Sequence, residues 1–164
     1  MIRCILFFII VLIQASTFAQ TNKKPSSRPH YHEFDFWLGN WDVYKFNTDT
    51  LLGKSTISSV LDSCGIEENY SSVKTSYKGK SLNKYHEQNK RWEQYYIDNS
   101  GTTLHLTGNL QGRSMVLEDN PVFGGTKNKI SWTPQPEGEV RQTWEVSADG
   151  ETWQVIFDGL YKRR

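Results

Sequence analysis

The sequence predicts an all-β protein, an antiparallel meander β-barrel of about eight to ten strands with a short helix before the first strand. Apolar and polar residues alternate with a period of two through most of the chain after Gly39. Turn-forming residues interrupt this alternation about every eight to twelve positions, which is typical of barrels and sandwiches. Asp149-Gly150 and Asn99-Ser100-Gly101 are links short enough to make the flanking strands antiparallel neighbours.

Residues 1–19 have the features of a secretory signal peptide. Arg3 gives a positive start, residues 5–13 form a continuous apolar run, and Thr17-Phe18-Ala19 is a small-residue cleavage site. The apolar run is shorter than the about 20 residues that a membrane-spanning helix needs. We therefore expect cleavage after Ala19 and an exported protein, periplasmic or extracellular, that does not span the membrane.

The predicted mature chain of 145 residues is long enough for one domain with its own core and too short for two ordinary domains. Cleavage removes Arg3 and no acidic residue, so the formal net charge falls from +1 to 0. Without a basic excess, nucleic acid is not an expected partner. Cys64 is the one cysteine left, so no internal disulfide can form and the fold must depend on its core. The oligomeric state is not predicted.

The mature chain divides into a leader and a domain. Residues 20–30 contain two prolines and no apolar periodicity, which predicts a disordered leader. The domain is predicted to cover residues 31–164. Its first element is a helix over residues 32–38, where Phe34, Trp37 and Leu38 share one face and Gly39 ends the helix.

Ten strands are predicted from the alternation and its breaks. Their ranges are 41–47, 54–62, 64–71, 81–88, 91–98, 103–109, 113–118, 129–133, 139–147 and 152–161.

Successive side chains of a strand point to opposite faces, so the alternation also assigns faces. Four faces are predicted to point inward, and each carries at least one aromatic residue. They consist of Cys64, Ile66, Glu68 and Tyr70; Trp92, Gln94 and Tyr96; Val140, Gln142, Trp144 and Val146; and Trp153, Val155, Phe157 and Tyr161.

The segment Gly39-Asn40-Trp41, after a short aromatic helix, resembles the G-x-W signature of lipocalins and the wider calycin superfamily. This resemblance implies that Trp41 packs at the closed end of a barrel and that a basic residue after the last strand lies across it. Lys162-Arg163-Arg164 offers such a residue for a cation–π contact.

Three longer motifs resemble a group of exported bacterial proteins of unknown function with lipocalin-like barrels. They are F-D-F-W-L-G-x-W-D-V from Phe34 to Val43, R-W-x-Q-x-x-x-D from Arg91 to Asp98, and V-R-Q-x-W-E-x-S-x-D-G from Val140 to Gly150. The resemblance spans most of the mature chain and implies fold and compartment. It brings no established activity.

The inward faces predict a small-molecule site. A barrel of this size holds either packed side chains or one small ligand, and aromatic walls with a few convergent polar groups are typical of ligand pockets. The predicted ligand-binding residues are Glu68, Trp92, Gln94, Tyr96, Gln142 and Trp144. The alternative is a filled core in which the polar groups satisfy one another.

No residues match a catalytic or cofactor motif, and no catalytic residue, metal site or cofactor is predicted. No serine lies in a G-x-S-x-G elbow, and Cys64 has no recognisable histidine partner. The His30-x-His32 spacing does not define a coordination geometry. Glu67 and Glu68 fall on opposite faces of one strand, so Glu68 alone is a candidate general acid or base.

Three functions remain open. The leading prediction is an exported barrel that binds a small aromatic or amphipathic molecule. The second is a filled barrel that contacts another envelope component through a surface such as the loop at residues 120–127. The third is a lipocalin-like enzyme that uses Glu68, an analogy of fold alone.

Overall fold

The structure is a computed structural model that describes residues 24–119 and 125–164. The predicted signal peptide lies outside the described residues. Ten strands follow one another along the chain. They are β1 (Gly39–Lys45), β2 (Leu51–Val60), β3 (Gly65–Ser72), β4 (Lys78–His86), β5 (Arg91–Asp98), β6 (Thr103–Gln111), β7 (Ser114–Glu118), β8 (Lys127–Pro134), β9 (Val140–Ser147) and β10 (Gln154–Arg163).

The strands form one closed antiparallel barrel with meander topology. Each strand pairs with its neighbours in sequence, and β1 closes the barrel against β10, from Trp41 opposite Arg163 to Lys45 opposite Gly159. The predicted fold class is confirmed, and each predicted strand overlaps one observed strand. No helix among the described residues is long and apolar enough to cross a membrane.

The segment before β1 closes one end of the barrel. It forms 3-10 turns at Pro25–Ser27, Pro29–His32 and Asp35–Trp37 instead of one helix over residues 32–38. Phe34, between the last two turns, has a φ of −109° and a ψ of 6°, so the turns do not join into a longer helix. The described part of the predicted leader contacts the barrel, because His30 stacks on Tyr85 with ring centroids 5.1 Å apart.

Aromatic rings fill the closed end. Phe34 and Trp37 are fully buried and stack with centroids 5.0 Å apart. Phe34 also meets Trp92 of β5 and Trp132 of β8 edge to face, at 5.6 Å and 5.1 Å. These contacts join the turns to two distant walls and seal the barrel below the cavity.

Trp41 makes the contacts that the G-x-W signature implies. Its ring is fully buried, and its indole N–H donates to the carbonyl of Trp37 at 3.0 Å. The guanidinium of Arg163 lies 4.4 Å from the ring centroid, so the predicted cation–π contact is present. Gly39 has a φ of +145°, a backbone conformation that residues with a Cβ rarely adopt, so this position favours glycine.

The predicted face of β10 is wrong in its first half. A bulge between Val155 and Phe157 pairs Val155 with Glu145 but Phe157 with Trp144, so the alternation changes phase there. Val155 is therefore outside the barrel and 52% exposed, whereas Phe157 points inward. Trp153 also lies outside, beneath the ammonium of Lys129 at 4.0 Å.

Candidate ligand cavity at the open end of the barrel

A cavity lies inside the barrel above the closed end. Its volume is about 60 Å³. One water needs roughly 10 to 15 Å³ of such a cavity, so the cavity holds a few waters or one small ligand. The described residues that line it are Glu68, Tyr70, Tyr77, Gln94, Tyr96, Ile130, Trp132, Gln142, Trp144, Phe157 and Tyr161.

The strand registers bring these side chains to two levels. Glu68 of β3 pairs with Ser81 of β4, and Gln142 of β9 pairs with Trp132 of β8. We call Glu68, Gln94, Gln142 and Tyr161 the polar floor. We call Tyr70, Tyr77, Tyr96, Trp144 and Phe157 the aromatic rim. Most of them stand two residues beyond a residue of the polar floor on the same strand, toward the open end of the barrel.

Glu68 is the charged residue of the polar floor and is 5% exposed. Its carboxylate accepts hydrogen bonds from the hydroxyls of Ser55 at 3.0 Å, Ser81 at 3.3 Å and Tyr161 at 3.3 Å. Among the described residues it has no ion-pair partner. Burial raises the pKa of Glu68 to about 7, against the lowering effect of these hydroxyls.

The hydroxyl of Tyr161 has one proton and two acceptors nearby. Oε1 of Gln142, in a short contact, and Oε1 of Glu68, at 3.3 Å, are alternative acceptors for this proton. When the hydroxyl donates to Gln142, its oxygen can accept a hydrogen bond from the neutral carboxyl group of Glu68. The arrangement therefore accommodates both protonation states of the carboxyl group.

Gln94 supplies an unpartnered acceptor to the polar floor. Its amide nitrogen donates to Oδ1 of Asn83 at 2.7 Å, and Asn83 in turn donates to the carbonyl of Ile66 at 3.2 Å. This chain fixes the orientation of the Gln94 amide. Oε1 of Gln94 is buried and has no hydrogen-bond partner among the described residues. An unpartnered buried acceptor costs about 1 to 3 kcal/mol, which a donor from a ligand or a water would offset.

Two rings of the aromatic rim meet across the barrel. Tyr96 of β5 and Trp144 of β9 have centroids 5.7 Å apart in an edge-to-face arrangement, although three strands separate β5 from β9 along the sheet. The indole N–H of Trp144 donates to Oδ1 of Asn128 at 2.8 Å, which holds the ring in this position. The pair narrows the cavity below the open end.

Asp98 lies beside the aromatic rim at the end of β5. Its carboxylate accepts from the hydroxyl of Tyr77 at 3.0 Å, and the hydroxyls of Tyr77 and Tyr96 share a short hydrogen bond. Burial raises the pKa of Asp98, but hydrogen bonds from Ser100 and Thr102 together outweigh burial and hold it well below its usual range. Asp98 is therefore a negative charge at the rim at neutral pH.

Five of the six predicted ligand-binding residues line the cavity, namely Glu68, Gln94, Tyr96, Gln142 and Trp144. Trp92 does not. It is two residues nearer the closed end than Gln94, and its indole N–H donates to the carboxylate of Glu33 at 3.1 Å. Alternation assigns Trp92 to the correct face, but it does not give the height along the barrel.

The prediction of a site omitted several lining residues. Ile130 and Trp132 alternate on β8, and Tyr70, Phe157 and Tyr161 stand on faces predicted to point inward, so extending the pocket along these faces would have found them. Tyr77 has no such signal, because it precedes β4 in a loop.

The other groups of titratable residues considered as candidate sites lie outside the cavity. His30 contacts Glu33 at 2.7 Å, and His32 contacts Asp35 at 2.6 Å, as separate pairs. Within residues 24–119 and 125–164, no group of three or more His, Cys, Asp or Glu could hold a metal ion. Glu67 lies on the outer face and pairs with Lys80 at 3.1 Å, opposite to Glu68.

No protein-family model and no curated protein sequence matches the chain. The resemblance to calycins and to exported bacterial barrels therefore stays a prediction from the motifs. The closed barrel is compatible with it.

Proposed function

We propose that this protein binds a small aromatic or amphipathic molecule in the barrel cavity. The observation that carries the proposal is the cavity itself, in which a polar floor lies beneath an aromatic rim that opens to solvent. Ligand pockets combine apolar and aromatic walls with a few placed polar groups in this way. The modest volume favours a compact molecule over a long-chain lipid.

We also propose that the protein acts after export, in the periplasm or outside the cell. The support is the charge and apolar pattern of residues 1–19. A soluble binding protein in such a compartment would act as a carrier or a sensor of its ligand.

Native mass spectrometry and tryptophan fluorescence together test the proposed binding. The full chain, expressed with its own N-terminal segment, should co-purify with a small molecule or respond to members of a library of single-ring compounds. Trp132 and Trp144 line the cavity, so an occupying ligand should change their emission.

Variants then locate the binding. Gln94→Leu and Gln142→Leu remove polar groups of the floor and should weaken the response at least about tenfold, since each deletes a buried hydrogen-bonding group. Gln154→Leu, at an exposed position of β10, is the matched control and should bind as the wild type does. A library without any responding compound, together with no co-purifying mass, would contradict a binding function.

One observation favours a second candidate, an enzyme that uses Glu68. A carboxyl group with a pKa of about 7 exchanges protons efficiently near neutral pH, which general acid–base catalysis requires. The test is turnover of a bound compound that Glu68→Gln abolishes while binding persists. Binding without turnover in the wild type would leave the carrier or sensor function.

A further inference from the structure

We propose that the ligand of this cavity is a small organic cation, an ammonium compound whose positive charge pairs with the Glu68 carboxylate inside the aromatic rim. This inference rests on the proposed binding function and narrows its ligand class. Three features carry it: an unpaired buried carboxylate, a wall of aromatic rings, and the absence of cationic side chains from the described lining.

The carboxylate of Glu68 lacks the partner that a buried charge needs. Its described contacts are the three neutral hydroxyls of Ser55, Ser81 and Tyr161. The other buried carboxylate of the barrel, Glu93, is equally enclosed at 6% exposure but contacts Arg91 at 3.4 Å and His105 at 3.9 Å. The fold thus supplies a cation to Glu93 and leaves the cation position beside Glu68 open.

The cavity wall is suited to a positive charge. Seven of its eleven described lining residues are aromatic, and the faces of Trp, Tyr and Phe rings attract cations by about 0.5 to 2 kcal/mol each. Tyr96 and Trp144 approach from opposite walls, so a ligand below them would contact rings on more than one side. Rings arranged in this way around a small space form a cage for an ammonium group.

The charged side chain of the described cavity lining is an acid. Glu68 lies at the floor, and no Lys, Arg or His is among the described residues that line the cavity. Clefts with charge of one sign raise the local concentration of ligands of the opposite sign. Oε1 of Gln94 adds an unpartnered acceptor for an N–H donor. The described lining also holds an unpartnered buried donor, the indole N–H of Trp132.

Cation binding should release a proton. The groups that face Glu68 are Ser55 from β2, Ser81 from β4, Tyr161 from β10 and, more distantly, the rim tyrosines and Asp98. Burial raises the pKa of Tyr70, Tyr96 and Tyr161, so the phenols stay neutral at physiological pH. Glu68, with a pKa of about 7, is then the group that ionises when the cation enters.

Three ligands with one ring and different charge test the inference: benzylammonium, benzyl alcohol and benzoate. We expect calorimetry on the full-length protein at pH 7 to give benzylammonium an affinity at least about tenfold above that of benzyl alcohol, with benzoate weakest. Binding of benzylammonium at pH 6 should release protons to the buffer, and binding of benzyl alcohol should not. This comparison of three ligands uses only the wild-type protein, so it does not depend on the folding of any variant.

Glu68→Gln should abolish the preference for benzylammonium and its proton release, whereas Glu67→Gln, on the outer face of the same strand, should keep both. Benzyl alcohol binding as tightly as benzylammonium in the wild type would overturn the cation inference and leave the proposed binding function standing. No binding by the three compounds or by any library member would overturn both.

Discussion

The phenol oxygen of Tyr161 on β10 lies 3.3 Å from Oε1 of Glu68 on β3, although β1 and β2 separate these strands in the barrel. The contact therefore crosses the barrel interior and joins residues 93 positions apart in the chain. The protonation of the Glu68 carboxyl group therefore depends on a hydroxyl group from the opposite wall of the barrel.

Glu68→Gln should change the pH dependence of stability. The pKa of the carboxyl group is 4.5 in the unfolded chain and about 7 in the folded protein, so the folded state binds more protons between these values. The free energy of unfolding should therefore fall as the pH rises from 4.5 to 7, and Glu68 accounts for up to about 3 kcal/mol of this fall.

Urea denaturation of the wild type and of Glu68→Gln between pH 4 and 8 measures this effect. The variant should lose the Glu68 contribution to the slope and be the more stable protein above pH 7. Glu67→Gln, at the half-buried neighbour on the outer face, should keep the wild-type slope above about pH 5.5, because the pKa of Glu67 is lowered and not raised in the folded protein. Parallel curves for wild type and Glu68→Gln would show that the carboxyl group is not perturbed by burial.

Trp41→Ala should destabilise the barrel by about 3 to 5 kcal/mol, because it empties a fully buried indole site and leaves a cavity at the closed end. Trp153→Ala is the matched control, since Trp153 packs on the outside against Lys129. Its cost should be well below that of Trp41→Ala. An unchanged denaturation midpoint for Trp41→Ala would contradict the closing role of this residue.

Arg163→Met should cost about 0.5 to 1 kcal/mol. Methionine keeps most of the apolar stem but removes the charge over the Trp41 ring and the hydrogen bond to the carbonyl of Leu38. Thermal unfolding of Arg163→Met in the wild type and in Trp41→Phe measures the coupling between the two side chains. An additive result would indicate that the ring and the guanidinium do not interact.

Because of the bulge in β10, the same substitution should lower the free energy of unfolding by very different amounts at two nearby sites. Val155→Asp places a carboxylate on the exposed outer face and should change the free energy of unfolding by no more than about 0.5 kcal/mol. Phe157→Asp places it in the cavity wall and should cost at least about 2 kcal/mol. Equal losses would contradict the change of phase between these residues.

The faces of the central strands could be predicted from the sequence because alternation is a local property of an extended chain. Alternation predicts that Glu68, Gln94, Gln142 and Trp144 point inward, and the structure places them in the cavity wall. The same counting failed at Val155, since one extra residue at a bulge reverses every face beyond it. Nothing in the local pattern of β10 marks that insertion.

About ten strands, their antiparallel order and most of their inward faces follow from the sequence, because short links and a period of two leave few alternatives. Which inward residues share a level depends on the assembled barrel. Trp92 lies at the closed end and Tyr77 at the rim because strand registers and loop positions set the height of a side chain along the barrel. Registers depend on contacts between distant segments, and the tilt and closure of a barrel fix them together.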